Sequence, residues 1–185
     1  MKPLPALLCL LLTSWASAQS VRPEGSEIRF VTQQMGVPVE GRFKGWQAQL
    51  TLDPKQPQAG QVAFSIDTRS IAFGAADTEA EAAKAAWFDS AKFPQAQFRS
   101  RTVKALGNGR FEVAGTLTIK GRARDLVVPV ALASGPAAGQ GTASGSFKLK
   151  RTDFRLGEGE WADVSVVADE VLVQFRLQLT GLAAP

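Results

Sequence analysis

The stretch that decides the fold is GNGRFEVAGTLTIKG, residues 107–121. Its alternate positions carry the apolar or small residues Phe111, Val113, Gly115, Leu117 and Ile119. Alternation of this kind indicates a β-strand with one buried face. The preceding pair, Asn108-Gly109, is the one that two-residue hairpin turns prefer. The stretch therefore predicts an antiparallel hairpin.

The same period of two recurs along most of the chain. Seven further stretches carry apolar residues at alternate positions between turn-forming residues, at 28–30, 37–52, 62–66, 96–102, 126–132, 143–149 and 171–179. In the second of these the parity changes across Lys44-Gly45, which predicts a β-bulge. Pro129 has the opposite parity to its apolar neighbours, which predicts a local edge or a bulge in its strand.

One helical segment interrupts the strands. The residues Thr78-Glu79-Ala80-Glu81 fit a capping box, which predicts an alanine-rich helix that ends near Trp87-Phe88. Ala80, Ala83 and Trp87 are expected to form its apolar face. Eight consecutive strands joined by short turns can close an up-and-down barrel without exposed edges. The predicted fold is all-β with one short helix, arranged as an eight-stranded antiparallel up-and-down barrel.

The composition is that of an ordinary globular domain and excludes most catalytic machinery. The chain has 185 residues, of which 45% are hydrophobic and 21% charged, and this size favours one domain. It contains no histidine, and its single cysteine is Cys9. Nucleophilic Ser-His or Cys-His pairs, histidine metal sites and disulfides are thereby excluded. We predict no catalytic residue, no metal and no cofactor. The net charge of +4 is too small to predict a nucleic-acid partner.

The N-terminus has the pattern of a secretory signal peptide. Lys2 is followed by the apolar run 4–12 and by the small residues Ala16-Ser17-Ala18. The apolar run, about nine residues, falls well short of the roughly 20 that a membrane-spanning helix needs. We therefore predict cleavage after Ala18, a signal peptide over 1–18 and a barrel domain over 19–185. The mature protein is expected in the periplasm or outside the cell.

The apolar parity is rich in phenylalanine. Seven of the eight stretches place one such ring on the face expected to point inward, namely Phe30, Phe43, Phe64, Phe98, Phe111, Phe147 and Phe175. Small residues such as Ala96, Gly115 and Gly145 share this parity and leave room between the rings. A barrel of eight strands is either just filled by its side chains or holds one small ligand. Composition alone leaves both interiors open.

Several segments resemble the YceI-like family of exported, lipocalin-like proteins. They are FVTQQMGVPVEGRF at 30–43, SIDTRSI at 65–71, AAWFDSAKFPQAQFRS at 85–100, GTLTIKG at 115–121 and FKLKRTDFRLGEGEWAD at 147–163. The resemblance implies a lipocalin-like barrel whose elongated apolar cavity holds a polyisoprenoid, such as a quinone or a polyprenyl lipid. The chain departs from the family pattern at Gln34, where histidine is common, and at Arg155, where glycine is common.

The resemblance also implies where the ligand lies, because the family's cavity contacts are mainly apolar. By position they fall on Phe30, Phe43, Phe64, Ile66, Phe98, Phe111, Val113, Leu117, Phe147 and Phe175, with Trp87, Phe88 and Phe154 near one end of the barrel. Three arginines near strand ends, Arg42, Arg69 and Arg151, are candidates to contact a polar headgroup at the cavity mouth. The alternative for these arginines is a salt bridge with Asp67 or Asp153.

The predicted function is a non-enzymatic carrier or storage protein for such a lipid. One alternative is an interaction module with a filled barrel that acts through its outer surface or loops. A second is an enzyme that uses carboxylates of the 153–163 loop, although nothing forces two of them to meet. Gly157 to Ala162 also fit G-x-G-x-x-A, but the βαβ unit that this nucleotide-binding motif needs is missing. Outward basic residues fit either transient contact with an anionic membrane surface or simple solvation, and homodimer formation stays open.

Overall fold

The computed structural model describes residues 19–53 and 56–182, so the predicted signal peptide and its Cys9 lie outside the described residues. Ten strands form one antiparallel sheet. They are β1 (Ser20–Gln34), β2 (Val37–Phe43), β3 (Trp46–Thr51), β4 (Gln61–Asp67), β5 (Ile71–Ala72), β6 (Gln95–Gly107), β7 (Arg110–Ile119), β8 (Arg122–Ser134), β9 (Gly141–Lys150) and β10 (Glu170–Thr180). The α-helix α1 spans Ala76–Ala82, and short 3₁₀ helices span Pro57–Ala59, Thr68–Ser70, Arg151–Phe154 and Gly159–Trp161.

The sheet confirms the all-β antiparallel fold with one short helix but not the predicted strand count. Its order is β3-β4-β6-β7-β8-β9-β10-β1-β2-β5, and it curls into a half-barrel. From β6 to β10 it is the up-and-down meander that the alternation predicts. Two strands were missed: the stretch 37–52 is divided into β2 and β3, and Ile71-Ala72 form the two-residue β5. A strand this short is too brief to show a period of two.

The predicted bulge at Lys44-Gly45 is instead a break between β2 and β3. The Lys44 N–H donates to the Ser70 carbonyl at 3.1 Å, and the Gly45 carbonyl accepts from the Asp67 N–H at 2.9 Å. These groups are therefore bound to the last residue of β4 and to the turn after it, so the ladder between β1 and β2 does not continue through Lys44-Gly45. The parity change predicted the correct position, but there the chain leaves the sheet between β2 and β3 instead of forming a bulge within one strand.

The two ends of the sheet are connected by the chain itself, because β3 stands at one end and β2 lies beside β5 at the other. A side-chain contact reinforces this connection. The Gln19 amide, at the start of β1, donates to the Leu52 carbonyl and accepts from the Leu52 N–H. It thus supplies the pair of hydrogen bonds that a neighbouring strand would provide.

The helix is shorter than predicted and begins differently. It starts at Ala76 without a side-chain cap and ends at Ala82, so Trp87 and Phe88 lie in the turns that follow. The Glu79 carboxylate reaches back and accepts from the Phe73 and Gly74 N–H groups, at 3.0 and 3.1 Å. The capping-box prediction therefore misplaced the start of the helix. Its buried residue is Ala82, whereas Ala80 is exposed. In the part of the chain described, no helix combines the length and hydropathy that crossing a bilayer requires.

The β8 strand has the local edge that Pro129 predicts. β9 pairs only with the last part of β8, from Val130 to Ser134. β7 pairs with the residues of β8 from Arg122 to Ala131. The segment after β9 lies near the uncovered half, and its Phe154 and Leu156 pack in the core with Leu117. Arg155 in this segment has a φ of 55°. Arg155 therefore has a left-handed conformation, which glycine adopts more readily than arginine.

Three phenylalanine rings each lie directly over a glycine of the neighbouring strand. A Cβ placed on Gly41, Gly115 or Gly145 would come within 2.3, 2.6 and 2.5 Å of the Cζ atoms of Phe30, Phe98 and Phe175, respectively. Rings that cover glycines in this way shield the exposed backbone of the sheet. The glycines are therefore required because they allow the rings to approach the strands closely.

We expect Gly145→Ala to lower the free energy of unfolding by about 1–3 kcal/mol, as overpacking typically does. The new methyl group would lie 2.5 Å from the Phe175 ring and 2.3 Å from the Pro129 carbonyl oxygen, which is backbone and cannot rotate away. Denaturant titration measures the change. Ser146→Ala, at the neighbouring exposed position, is the control and should change stability by less than about 0.5 kcal/mol. Equal stabilities would contradict the proposed close packing.

Candidate ligand-binding site

The interior contains two cavities of unequal size. The smaller has a volume of about 150 Å³ and a wholly apolar lining. The larger has a volume of about 420 Å³ and lies beside α1 and the turns that follow it. This second volume falls within the range of about 300–1,000 Å³ that is typical of small-molecule sites.

The two cavities adjoin, and we refer to them together as the channel. Both are lined by the same five residues, which we call the waist: Ile28, Ile66, Leu117, Phe147 and Val173. All five are apolar and come from five different strands, β1, β4, β7, β9 and β10. The waist therefore lies at the boundary between the two cavities.

The structure brings almost all of the predicted apolar site residues to this channel. Those that line the smaller cavity are Phe64, Phe98, Phe111, Val113 and Phe175, those that line the larger are Phe30, Phe43, Trp87 and Phe88, and Ile66, Leu117 and Phe147 belong to the waist. Phe154 lines neither cavity. It is 1% exposed and packs in the core with Leu117 and Ile119. Its position supports the sheet where β9 does not cover β8.

The larger cavity is polar at one end, and sequence reasoning missed most of this end. Its polar lining residues are Thr32, Gln34, Asp77, Thr78, Glu81, Arg151 and Trp161. Gln34, Asp77 and Thr78 are exposed as well as lining, so the cavity opens to the surface among them. Thr32 and Gln34 continue the inward parity of Ile28 and Phe30, and this signal could have identified them. The residues contributed by α1 have no such signal.

Arg151 is the most buried charged residue described, with 1% of its surface exposed. Its guanidinium donates to backbone carbonyls that lie 5 to 17 residues further along the chain. Nη1 donates to the carbonyls of Leu156 and Gly157 at 2.7 and 3.1 Å. Nη2 donates to those of Trp161 and Val167 at 2.9 and 2.8 Å. Nε donates to those of Val167 and Ala168 at 3.3 and 3.2 Å. Burial lowers the pKa of this guanidinium, and the nearby Asp169 opposes that shift. The group stays charged, because an arginine does not deprotonate in a protein.

These contacts leave Arg151 without a free donor for a ligand headgroup. All of its N–H groups point to carbonyls of the loop, and its charge stands over the Trp87 ring, 5.7 Å from the ring centroid. It lines the cavity as a structural residue and a source of positive potential. The other two candidates, Arg42 and Arg69, are exposed and line neither cavity. Asp67 pairs with the backbone N–H of Arg69 at 2.9 Å, not with its guanidinium.

Two carboxylates of the 153–163 loop, Glu158 and Asp163, have structural partners. Lys120 Nζ donates to Glu158 at 2.9 Å and to the carbonyls of Ala85 and Arg155 at 2.7 and 2.8 Å. This lysine lowers the pKa of Glu158. Asp163 accepts from the N–H and hydroxyl of Ser165, which lowers its pKa. Within residues 19–53 and 56–182, no cluster of three or more metal-ligating side chains occurs.

We expect Arg151→Lys to lower the free energy of unfolding by about 2–4 kcal/mol, because lysine cannot serve all of these buried carbonyls. Denaturant titration followed by tryptophan fluorescence measures the loss, since Trp87 and Trp161 lie beside the arginine. Arg69→Lys on the exposed turn is the control and should be nearly neutral. A stable Arg151→Lys variant with wild-type fluorescence would show that the loop does not depend on the guanidinium.

Thr32 carries a buried hydroxyl that has no hydrogen-bond partner among the described residues. We expect Thr32→Val to raise the free energy of unfolding of the ligand-free protein by about 1–3 kcal/mol, the usual cost of such a group. Thr142→Val is the matched control of opposite sign, because the Thr142 hydroxyl is 3.1 Å from the Gln178 side-chain oxygen and forms a hydrogen bond with it. Thermal unfolding of delipidated samples measures both. Destabilisation by Thr32→Val would mean that its hydroxyl is already satisfied.

Comparison with known proteins identifies the family. A family model described as the YceI-like domain matches residues 20–179, nearly the whole described chain. The chain belongs to the YceI-like family. The resemblance seen in the sequence is thereby confirmed.

Relatives and solved structures agree with this assignment. Protein YceI of Salmonella arizonae is 30% identical over 162 residues, which cover 83% of each chain. BcnA of Burkholderia cenocepacia is 38% identical to this YceI-like protein and superposes with a TM-score of 0.82, covering 86% of this chain and 99% of BcnA. A polyisoprenoid binding domain of Saccharophagus degradans, implicated in plant cell wall breakdown, has 19% identity and a TM-score of 0.72 over 91% of this chain and 99% of that domain. This last likeness shows a shared fold.

Proposed function

We propose that this YceI-like protein binds one polyisoprenoid, an isoprenoid quinone or a polyprenyl lipid, and that it acts as a carrier or store for this lipid and not as an enzyme. The observation that carries the proposal is the channel of two adjoining cavities, apolar over most of its length and polar at one end. A lipid with a long apolar chain and a small polar headgroup has the same distribution of apolar and polar groups along its length. The polyisoprenoid binding domain of the Saccharophagus protein, which shares the fold, supports the same ligand class.

Burial of the apolar chain would supply the affinity. Each Å² of apolar surface removed from water contributes about 25 cal/mol, from which the costs of association are deducted. The wholly apolar smaller cavity suits the far end of the chain, which therefore passes through the waist. The headgroup then lies among Thr32, Gln34 and Thr78, whose side chains can form hydrogen bonds with a carbonyl or hydroxyl oxygen.

The proposal includes export. The N-terminal pattern that ends at Ala16-Ser17-Ala18 is that of a cleaved leader, and we propose the periplasm or the exterior as the location. Isoprenoids are insoluble in water and reside in membranes, so an exported binding protein would move or hold them between membranes. Fractionation of cells with N-terminal sequencing of the product would test the location: a product that begins at Gln19 supports it, and an uncleaved cytoplasmic product contradicts it.

The direct test is native mass spectrometry of the purified protein, followed by organic extraction. A one-to-one adduct identified as a polyprenyl compound is the expected result. Delipidated protein would then be incubated with ubiquinone-8 or with the polyprenol solanesol in detergent to compare headgroups. A protein that stays at the bare polypeptide mass in every case would overturn the proposal in favour of an interaction module.

We expect Ala96→Phe to reduce ligand occupancy about tenfold or more, because the added ring enters the larger cavity and removes apolar area from the ligand contact. Ala96 is buried, on β6, and lines this cavity. Ala131→Phe adds the same ring at an exposed position on β8 and is the matched control. Occupancy by native mass spectrometry and unfolding temperature are measured together. Full occupancy in a folded Ala96→Phe variant would place the ligand elsewhere.

A further inference from the structure

The tip of the hairpin between β1 and β2 presents exposed apolar side chains to solvent. Met35 is 72% exposed and Val37 64%. The loop 162–168 lies against this tip, since the Met35 N–H donates to the Val166 carbonyl at 2.7 Å, and it adds Val164, which is 52% exposed. We call Met35, Val37 and Val164 the apolar rim. Three of the five large hydrophobic residues that are exposed in the described chain thus belong to one small surface.

Met35 is an unfavourable choice for the turn it occupies. Met35 and Gly36 have φ values of 49° and 78°, so both central residues of the turn are left-handed. Asparagine and glycine tolerate this conformation, whereas a long apolar side chain does not favour it. The same turn geometry occurs at Asn108-Gly109, at the opposite end of the sheet, with the favoured residues. The β1–β2 turn therefore places an exposed apolar side chain at a left-handed position, as the β7–β8 turn places Lys120, with a φ of 48°.

The rim adjoins the open end of the larger cavity. Thr32 and Gln34 line this cavity on the strand that leads into the tip, and Val167 lines it on the loop. A β-bridge between Gln34 and Val167 holds the two segments together. A molecule that enters or leaves the cavity between the exposed residues Gln34 and Thr78 therefore passes beside the rim.

Charge decides which kind of surface the rim fits. Residues 31–39 and 164–168 contain no charged side chain. The adjacent Asp163 is bound to Ser165 of its own loop. Some basic residues of the outer face also have acidic partners, as in Arg101 with Asp125 at 2.9 Å and Lys148 with Glu170 at 2.7 Å. The rim thus lacks the cations that draw proteins to anionic lipids but has the apolar side chains that enter the boundary between headgroups and acyl chains.

We propose that the apolar rim docks the open end of the cavity onto a lipid bilayer by inserting Met35, Val37 and Val164 between the headgroups. The inference rests on the proposed function, because it explains how an insoluble lipid passes between a membrane and the cavity without crossing water. The attraction is hydrophobic and independent of lipid charge. This differs from the contact of basic residues with anionic lipid that the sequence had suggested.

The test measures binding of the full protein to vesicles and transfer of a quinone from them. Vesicles of phosphatidylcholine, alone or with phosphatidylglycerol, are sedimented with the wild type and with Met35→Asn and Val37→Thr variants. Ubiquinone-8 in the vesicles serves as the transferred probe. Val127→Thr is the matched control, because Val127 is 54% exposed on the outer face of β8, away from the rim. Met35→Asn suits the turn, so a folding defect does not complicate the result.

We expect the wild type to bind both vesicle types equally and at all salt concentrations, and each rim variant to bind and to transfer quinone about tenfold less, as loss of one buried apolar side chain implies. The Val127→Thr variant should match the wild type. Equal binding by Met35→Asn overturns the inference, as does binding that salt abolishes. A wild-type dimer in analytical ultracentrifugation that Met35→Asn dissociates also overturns it, because the rim would then contact a second copy.

A separate measurement distinguishes failure of the inference from failure of the proposed function. Each variant is loaded with ubiquinone-8 from detergent micelles, where no bilayer is present. If all variants load equally and only transfer from vesicles depends on the rim, both proposals stand. If all load equally but the rim variants also transfer normally, the docking inference alone is wrong. If none loads, the proposed function is wrong.

Discussion

The open end of the cavity depends on the hydrogen bonds that the buried guanidinium of Arg151 donates. Its donors hold the carbonyls of residues 156, 157, 161, 167 and 168, so one side chain fixes both limbs of a loop that would otherwise have to satisfy these groups separately. Gly157 is required beside it, since a Cβ there would lie 2.4 Å from the guanidinium. The fixed loop in turn positions Trp161, which donates to Glu81 of α1 at 3.2 Å, and Val167, which lines the cavity.

This arrangement separates two tasks between the ends of one channel. The strands supply a continuous apolar wall because their inward positions alternate regularly, and the wall needs no hydrogen-bond partner. The polar groups are confined to the end where the loop and α1 meet. The separation gives an amphiphile a single favourable direction of entry. Five of the seven polar lining residues lie on α1 and the short 3₁₀ helices, and β1 supplies the other two, Thr32 and Gln34, only near its end. Polar side chains further along the strands would weaken the core.

The sequence predicted the apolar wall of the channel far better than its polar end. Period-two alternation placed all seven inward phenylalanines on the channel, because parity depends only on local backbone geometry. It could not place Asp77, Thr78 or Glu81, whose position depends on where α1 packs. Arg151 stood out as a candidate, but its partners are backbone carbonyls, which have no signature in a sequence. The capping-box pattern also failed locally, since the carboxylate that reaches back belongs to Glu79 and the N–H groups that donate to it precede the helix.

The rings that lie over Gly41, Gly115 and Gly145 have a consequence for how the channel adapts. Each ring is held in place by contact with bare backbone on one side and faces the channel on the other. Rotation of such a ring about its side-chain torsions changes the width of the channel while every strand keeps its register. Side-chain rotamers exchange far faster than strands separate, within nanoseconds where they are not tightly packed. The width of the channel is therefore set by its lining side chains, and the β-sheet stays a fixed frame around them.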